Sequence, residues 1–222
     1  RHVPPGTLKT FSVGFEEASF DESPYARRAA DLVNSDHYAE TLSLDRAVNL
    51  LPEIMGRLDE PLGDSSLLPT YLLCRFTRRH VTVALGGDGG DELFAGYAPF
   101  KALCWARWYQ RLIPRAIHQG ILLAVAKLPT SHNYMSLDFK VKRTLRGLSY
   151  PCRFWNPVWM SSLEEKEFGE LFNEPVALED VFSEAVELWD SCKNLDTVDR
   201  SLQFFTRLYL QNDILTKVDR AS

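Results

Sequence analysis

The stretch that decides the reading is "VTVALGGDGGDELFAGY", Val81 to Tyr97. An apolar run, Val81 to Leu85, breaks into Gly86, Gly87, Gly89 and Gly90, interleaved with Asp88, Asp91 and Glu92. Glycine admits positive φ and lets the backbone approach a ligand closely. Consecutive amides in such a turn form an anion-binding nest, and a short helix starting near Asp91 adds its positive end. The common phosphate loops do not fit: there is no G-x-x-x-x-G-K-[ST] and no G-x-G-x-x-G in register. Carboxylates repel phosphate unless a metal stands between them, and Mg2+ typically takes one or two carboxylates plus substrate phosphates. The physical reading is a Mg2+–polyphosphate site, in which acids hold the metal and the backbone holds the oxygens. The plainer alternative is a glycine-rich turn followed by a solvated acidic helix start.

Working outward, "LKTFSVGF" (Leu8 to Phe15) predicts a buried strand ended by Gly14. "SPYARRAADLV" predicts a helix with Ser23 as N-cap, Pro24 at its first position, and Tyr25, Ala29, Leu32 and Val33 on its inward face. "HYAETLSL" reads as a second strand. A helix from about Asp45 to Leu58 carries Ala47, Leu50, Leu51, Ile54, Met55 and Leu58, and another from about Ser65 to Arg79 carries Leu68, Tyr71, Leu72 and Phe76. "VTVAL" then reads as a third strand. This order is that of a parallel α/β sheet, and the glycine loop would sit at a carboxyl strand end, where open sheets bind ligands. After Tyr97 only helical signals continue. Two apolar stripes, Leu178, Val181, Phe182, Ala185, Val186, Trp189 and Leu202, Phe205, Tyr209, read as core. The expected division is a partial α/β core over 1–97 and a helical part over 98–222.

The 222 residues, 45% hydrophobic and 25% charged, are an ordinary globular composition. A net charge of −5 argues against nucleic acid as a partner, because phosphate backbones want a basic surface. The charge is uneven: residues 101–150 hold nine Lys/Arg against Asp138 alone, and residues 151–200 hold four against twelve acids. Two solvated helical faces account for this. Cys74, Cys104, Cys152 and Cys192 form no C-x-x-C pair, which argues against zinc, and their scatter suggests a reduced cytoplasm. The longest apolar run, Ile121 to Ala126, is far too short to span a bilayer.

"LDEPLGDSSLLPTYLLCRFTRRHVTVALGGDGGDELFAGY", Leu58 to Tyr97, closely resembles the synthetase domain of the glutamine-hydrolysing asparagine synthetase family. The shared pattern is a D-E-P run, then D-x-S-x-x-P-T-Y on a helix, then a strand ending S-G-D-G-x-D-E-x-F-x-G-Y. "TFSVGF" resembles the family's second strand, and "LQNDILTKVDRAS" a late helix. The resemblance is dense over 58–97, recognisable over 8–60 and looser over 98–205. It implies a parallel-sheet, HUP-like ATP pyrophosphatase fold followed by a helical layer. It also implies a reaction: ATP activates the side-chain carboxylate of aspartate as an acyl-adenylate, pyrophosphate leaves with Mg2+, and ammonia attacks. The ammonia would come from glutamine, hydrolysed in an N-terminal glutaminase domain of the parent chain. The oligomeric state is left open, a homodimer being one option.

Position by position, the resemblance implies that Gly86, Gly87, Gly89 and Gly90 face ATP, with Val13 packing near adenine. Asp88 matches an acidic position beside the reacting centre, Asp91 the acid associated with Mg2+–pyrophosphate, and Glu92 follows it as a second metal-side acid. Asp64, Ser65 and Thr70 match the segment facing the amino-acid substrate. Lys217 and Asp219 match the late helix and are read as a solvated face. The family commonly has serine where Gly86 stands, which leaves room for a different carboxylate substrate, as in β-lactam synthesis. The family's S-G-G-x-D-S loop is expected upstream of Arg1 and its catalytic lysine after Ser222, so the segment alone is expected not to catalyse the full reaction. Two other readings are a non-catalytic module that keeps the fold and a metal-dependent phosphohydrolase using Asp88, Asp91 and Glu92. None of the five histidines has spacing that supports the latter.

Overall fold

The structure, a computed structural model, describes residues 4, 7–131, 135–163 and 165–222. The chain divides into two compact units, one of Arg1–Gly87 with Asn212–Ser222 and one of Asp88–Gln211.

The first unit is built on a βαβ crossover. Strand β1 (Lys9–Phe15) runs parallel to β2 (Asp36–Leu42), in register from Lys9 opposite Asp36 to Phe15 opposite Leu42, and helix α1 (Ser23–Leu32) connects them. Side chains alternate along a strand, so β1 has an apolar face, Phe11, Val13 and Phe15, and a small polar one, Thr10, Ser12 and Gly14. Val13 and Phe15 pack against a core of Leu42, Leu50, Ile54, Leu67, Tyr71, Leu72 and Ala221. Those residues come from β2, α2 (Leu44–Met55), α3 (Leu67–Thr77) and α13 (Leu215–Ala221). Phe11 meets the rings of Phe76 and His80 at 6.0 and 5.6 Å. On the polar face, a Cβ on Gly14 would lie 2.1 Å from Ser23 Oγ, so the strand can carry no side chain where α1 begins.

That tight polar face corrects the expected orientation of α1. Ala26 is half-buried and Ala30 buried, while Tyr25 and Leu32 are 72% and 79% exposed. Only small side chains fit against Ser12 and Gly14, so the bulky ones turn outward. Ser23 is not the cap either: Glu22 holds the N-cap position, and Ser23 Oγ donates to Asp21 Oδ1 at 2.6 Å. In α2, Leu50 and Ile54 are buried as the periodicity predicts, whereas Leu51 and Met55 lie outside the core, 40% and 57% exposed. Ser43 caps α2 through its hydroxyl, which accepts from Arg46 N at 3.3 Å.

The third strand is not formed among the described residues. Val81 to Leu85 runs without regular structure, with Val83 78% and Leu85 98% exposed. A strand exists only when a neighbour completes its ladder, and the sheet among the described residues has two strands, β1 and β2. The glycine loop therefore follows an unpaired segment.

The regular elements among the described residues of the second unit are all helical, as the sequence after Tyr97 predicts. It holds α4 (Gly90–Phe94), α5 (Ala98–Leu112), α6 (Arg115–Ala126), α7 (Leu137–Leu148), α8 (Trp155–Met160), α9 (Glu165–Leu171), α10 (Leu178–Val181), α11 (Ser183–Ser191) and α12 (Thr197–Phe204). A π-helical segment, Phe205–Ile214, leads out of it. The main core is Phe100, Leu103, Ala106, Leu148, Trp155, Trp159 and a fully enclosed Phe205, and a smaller one gathers Phe154, Val158, Phe168 and Leu178. Both aromatic stripes reach these interiors, although Val181 remains 39% exposed. His118 is buried between Tyr109 Oη, 3.0 Å from Nδ1, and Ser149 Oγ, 2.9 Å from Nε2, which satisfies both ring nitrogens and ties α5, α6 and the end of α7 together. No helix among the described residues is long and apolar enough to cross a membrane.

At Gly147, α7 lies tightly against α8: a Cβ there would lie 2.0 Å from Trp159 Nε1. Alanine gains about 1 kcal/mol in helix propensity, but overpacking a buried ring costs about 1–3 kcal/mol, occasionally more. Gly147→Ala is expected to destabilise the protein by about 1 kcal/mol net, measured by urea denaturation; raised stability would contradict this packing.

Candidate functional site

The turn after Asp88 is built by backbone strain and one buried acid. Gly89 is buried with φ of +94°, and the atom nearest a Cβ there is Leu210 Cδ2 at 3.6 Å, so conformation more than space demands glycine. α4 starts at Gly90 and stops after one turn, because Ala95 adopts φ of 56° and Gly96 N returns to Asp91 O at 2.9 Å. A Cβ on Gly96 would lie 1.9 Å from Asp91 Oδ1, so the aspartate side chain also needs a glycine beside it. Glu92 is 2% exposed and accepts a hydrogen bond from Tyr97 Oη. Burial and that carboxylate push the Tyr97 hydroxyl far above its ordinary value, so it keeps its proton and acts as donor.

The consequence is a division of labour among the three acids. Asp88 and Asp91 are exposed, whereas Glu92 points inward onto Tyr97. Gly90 has open space beside it, as does Gly87 at the end of the first unit. Among the described residues, no cluster of three His, Cys, Asp or Glu could hold a metal ion by itself. A donor set of one or two exposed carboxylates suits Mg2+ only when phosphate oxygens complete its shell.

The expected substrate segment lies in the first unit and converges on a residue that sequence reasoning did not single out. Asp64 Oδ1 accepts from Ser66 N and Oδ2 from Ser66 Oγ, each at 2.8 Å, and Thr70 Oγ1 donates to Ser66 O at 2.8 Å. Ser65 is exposed. Val13 lies half-buried on the apolar sheet face opposite Glu40, and Gly86 and Gly87 are exposed.

Lys217 is the larger correction. It is 5% exposed rather than solvated, and its Nζ lies 2.9 Å from Ser66 Oγ and 3.2 Å from Asp64 Oδ2. Lys217, Ser66 and Asp64 therefore form a closed triangle that binds α13 to the start of α3. Asp219, by contrast, lies at the surface beside Arg220. The available signal was spacing: Lys217 follows Asp213 by four residues and Ile214 by three, which places it on an inward face.

Burial raises the Asp64 carboxyl, but the Ser66 amide and hydroxyl and the Lys217 ammonium outweigh it, so Asp64 sits below its usual range. Asp213 is raised, first by burial and then by the Asp64 charge, with Lys217 in partial opposition. A depressed carboxyl adds stability above its unfolded value of 3.8 that is lost as pH falls through the folded value. A raised one works in reverse: stability falls as pH rises from 3.8 through the folded value of Asp213. Asp64→Asn is thus expected to remove an acid-side loss of stability, and Asp213→Asn to raise stability near neutrality. Lys217→Met, which leaves the half-buried Asp64 without its cation, is expected to cost about 3 kcal/mol, with part recovered in Asp64→Asn/Lys217→Met. Urea denaturation from pH 3 to 8 checks all of these, and an unaltered pH profile in both aspartate variants would refute the assignment.

Comparison with known proteins places this sequence in a family. The family model described as Asparagine synthase matches residues 1–222. A "Putative asparagine synthetase [glutamine-hydrolyzing]" of Mycobacterium tuberculosis (strain ATCC 25618 / H37Rv) is 32% identical over 224 residues, covering 99% of this chain and 32% of that protein. "Asparagine synthetase [glutamine-hydrolyzing] 1" of Bacillus subtilis (strain 168) is 35% identical over 131 residues, 59% of this chain and 21% of that protein. A "Putative asparagine synthetase [glutamine-hydrolyzing] 2" of Methanocaldococcus jannaschii is 29% identical over 221 residues, 97% of this chain and 40% of that protein. The chain thus spans between a fifth and two fifths of the length of these relatives. No solved structure matches it. With the family model running from the first residue to the last, the chain belongs to the asparagine synthase family.

Proposed function

We propose that this chain is the synthetase part of an asparagine synthetase-like amidotransferase. It would use ATP to adenylate the side-chain carboxylate of aspartate and form the amide with glutamine-derived ammonia, releasing AMP and pyrophosphate. The observation that carries the reading is the turn from Gly86 to Tyr97 in a chain of this family: bare peptide with two outward carboxylates, Asp88 and Asp91, and a third acid held inside.

The residues divide the work as follows. Backbone amides at Gly86, Gly87, Gly89 and Gly90 would face the phosphate oxygens, where glycine leaves the closest approach. Asp91 would hold Mg2+, with Asp88 beside the reacting centre. When bound, the metal would offset negative charge on the departing pyrophosphate. Glu92, whose carboxylate is occupied by Tyr97, would keep Asp91 outward instead of ligating. Asp64, Ser65 and Thr70 would face the amino acid, and Val13 would lie toward the adenine. Adenylation breaks the bond between the α- and β-phosphates and forms an acyl–phosphate bond. Ammonia then attacks the acyl carbon, and AMP departs. Water must be excluded during the interval, or hydrolysis competes with amide formation.

Gly86 favours a second reading within the same chemistry. The family commonly has serine there, and loss of that hydroxyl suits a relative that acts on another carboxylate, as β-lactam synthetases do. Pyrophosphate release by the full-length protein distinguishes the two. Release is expected to require Mg2+ and aspartate, and to fall about a hundredfold or more in Asp91→Asn, since preorganised charge stabilisation is worth that much. Release with a different carboxylate only would replace aspartate as substrate. Normal turnover in Asp91→Asn would remove the role assigned to that residue.

A further inference from the structure

A cavity of about 460 Å3 opens in the helical unit between the exposed side of α5 and the start of α12. Its wall includes Leu103, Arg107, Trp108 and Arg111 from α5 and Asp196 and Val198 at the other side. None of these residues belongs to the turn at 88–97, so the cavity is independent of any ATP site there.

The chemistry of the wall is specific. Arg107 and Arg111 are one helical turn apart, so both guanidinium groups reach the same side. Arg46, Arg75, Arg153 and Arg220 each pair with a carboxylate. Arg107 and Arg111 have no such partner among the described residues. The one acid in the wall is already engaged: Asp196 Oδ1 accepts from Val198 N at 2.8 Å and Asp199 N at 2.9 Å, capping α12. Two exposed guanidinium groups against one carboxylate leave the wall with a net positive charge, which suits an anion. The same wall carries the Trp108 indole, 61% exposed despite its size, with Leu103 and Val198 supplying apolar surface. Guanidinium forks recognise carboxylate or phosphate, and an indole face takes a flat ring. The volume lies in the range of small-molecule sites, about 300–1,000 Å3.

We propose that this cavity binds a small organic anion carrying a flat ring, its carboxylate or phosphate held by Arg107 and Arg111 and its ring laid on Trp108. Cys104 lines the same cavity and is exposed, which gives a local readout. Cys152, also exposed and outside the cavity wall, serves as internal reference.

The test measures iodoacetamide alkylation of Cys104 relative to Cys152 by peptide mass spectrometry, on the full-length protein. The probes are 2-naphthoate and adenosine 5′-monophosphate, with 2-naphthalenemethanol as ring without charge and inorganic phosphate as charge without ring. One or both ring-bearing anions are expected to slow Cys104 alkylation saturably, by about fivefold or more, while both controls leave it unchanged. Which one protects identifies carboxylate or phosphate as the headgroup. In Arg107→Gln/Arg111→Gln the concentration for half-protection is expected to rise at least about tenfold, as the loss of charged hydrogen bonds implies. Both arginines are exposed, so that variant is expected to retain the fold, which circular dichroism verifies. Three results would overturn the proposal: no protection by either anion, equal protection by the uncharged alcohol, or undiminished protection in the folded double variant.

Discussion

The buried Glu92 carboxylate, held by the Tyr97 hydroxyl, is the constraint on which the site turn depends. An ionisable group with 2% exposure is tolerated only when it is hydrogen-bonded, and the donor arrives only because α4 stops after five residues. Ala95 supplies the left-handed residue that stops it, and Gly96 makes room for the Asp91 side chain. Once Glu92 is committed inward, its neighbours follow: Asp91 and Asp88 are left at the surface on either side of a glycine pair. A run of three acids, which as a sequence suggests three equivalent ligands, becomes one anchor and two outward groups.

The first unit uses the same device with opposite charge. Lys217 is enclosed, and its ammonium is satisfied by Ser66 and Asp64 at the start of α3. A buried ion pair is weak evidence of net stabilisation, because desolvation offsets most of the attraction, but removal of either partner is costly. The pair therefore fixes where α13 must lie more than it strengthens the unit. The same carboxylate orders the Ser66 amide and hydroxyl, and Thr70 bonds back to the Ser66 carbonyl. The segment expected to face an amino acid is thus held rigid by groups that sit deeper than itself.

Much of the architecture was legible because it rests on local pattern. β1 and β2 read as strands from β-branched and aromatic residues, α2 and α3 from a 3.6-residue period, and the helical second half from its apolar stripes. The failures share a cause, which is that each depends on a partner distant in sequence. α1 turns its large side chains outward because the sheet face beneath it is small and polar at Ser12 and Gly14, and α1's own periodicity contains no record of that. "VTVAL" has strand composition, but a ladder needs a neighbour. Tyr97 reaches Glu92 across a left-handed residue, which helical spacing does not anticipate. Lys217 reads as solvated from its own neighbourhood because its partner Ser66 lies 151 residues away in sequence. At the turn itself, the glycines and acids were visible as a site, while the inward or outward direction of each acid was not.

The central claim is that Glu92 positions the turn while Asp91 meets the metal. Mn2+ bound in the presence of ATP, followed by electron paramagnetic resonance on the full-length protein, separates the two roles. Glu92→Gln keeps an acceptor for Tyr97 and is predicted to retain one nucleotide-dependent Mn2+ with affinity within about threefold of the parent, while Asp91→Asn loses it. If Glu92→Gln, correctly folded, loses the ion as completely as Asp91→Asn, or if Asp91→Asn binds it unchanged, the account is wrong.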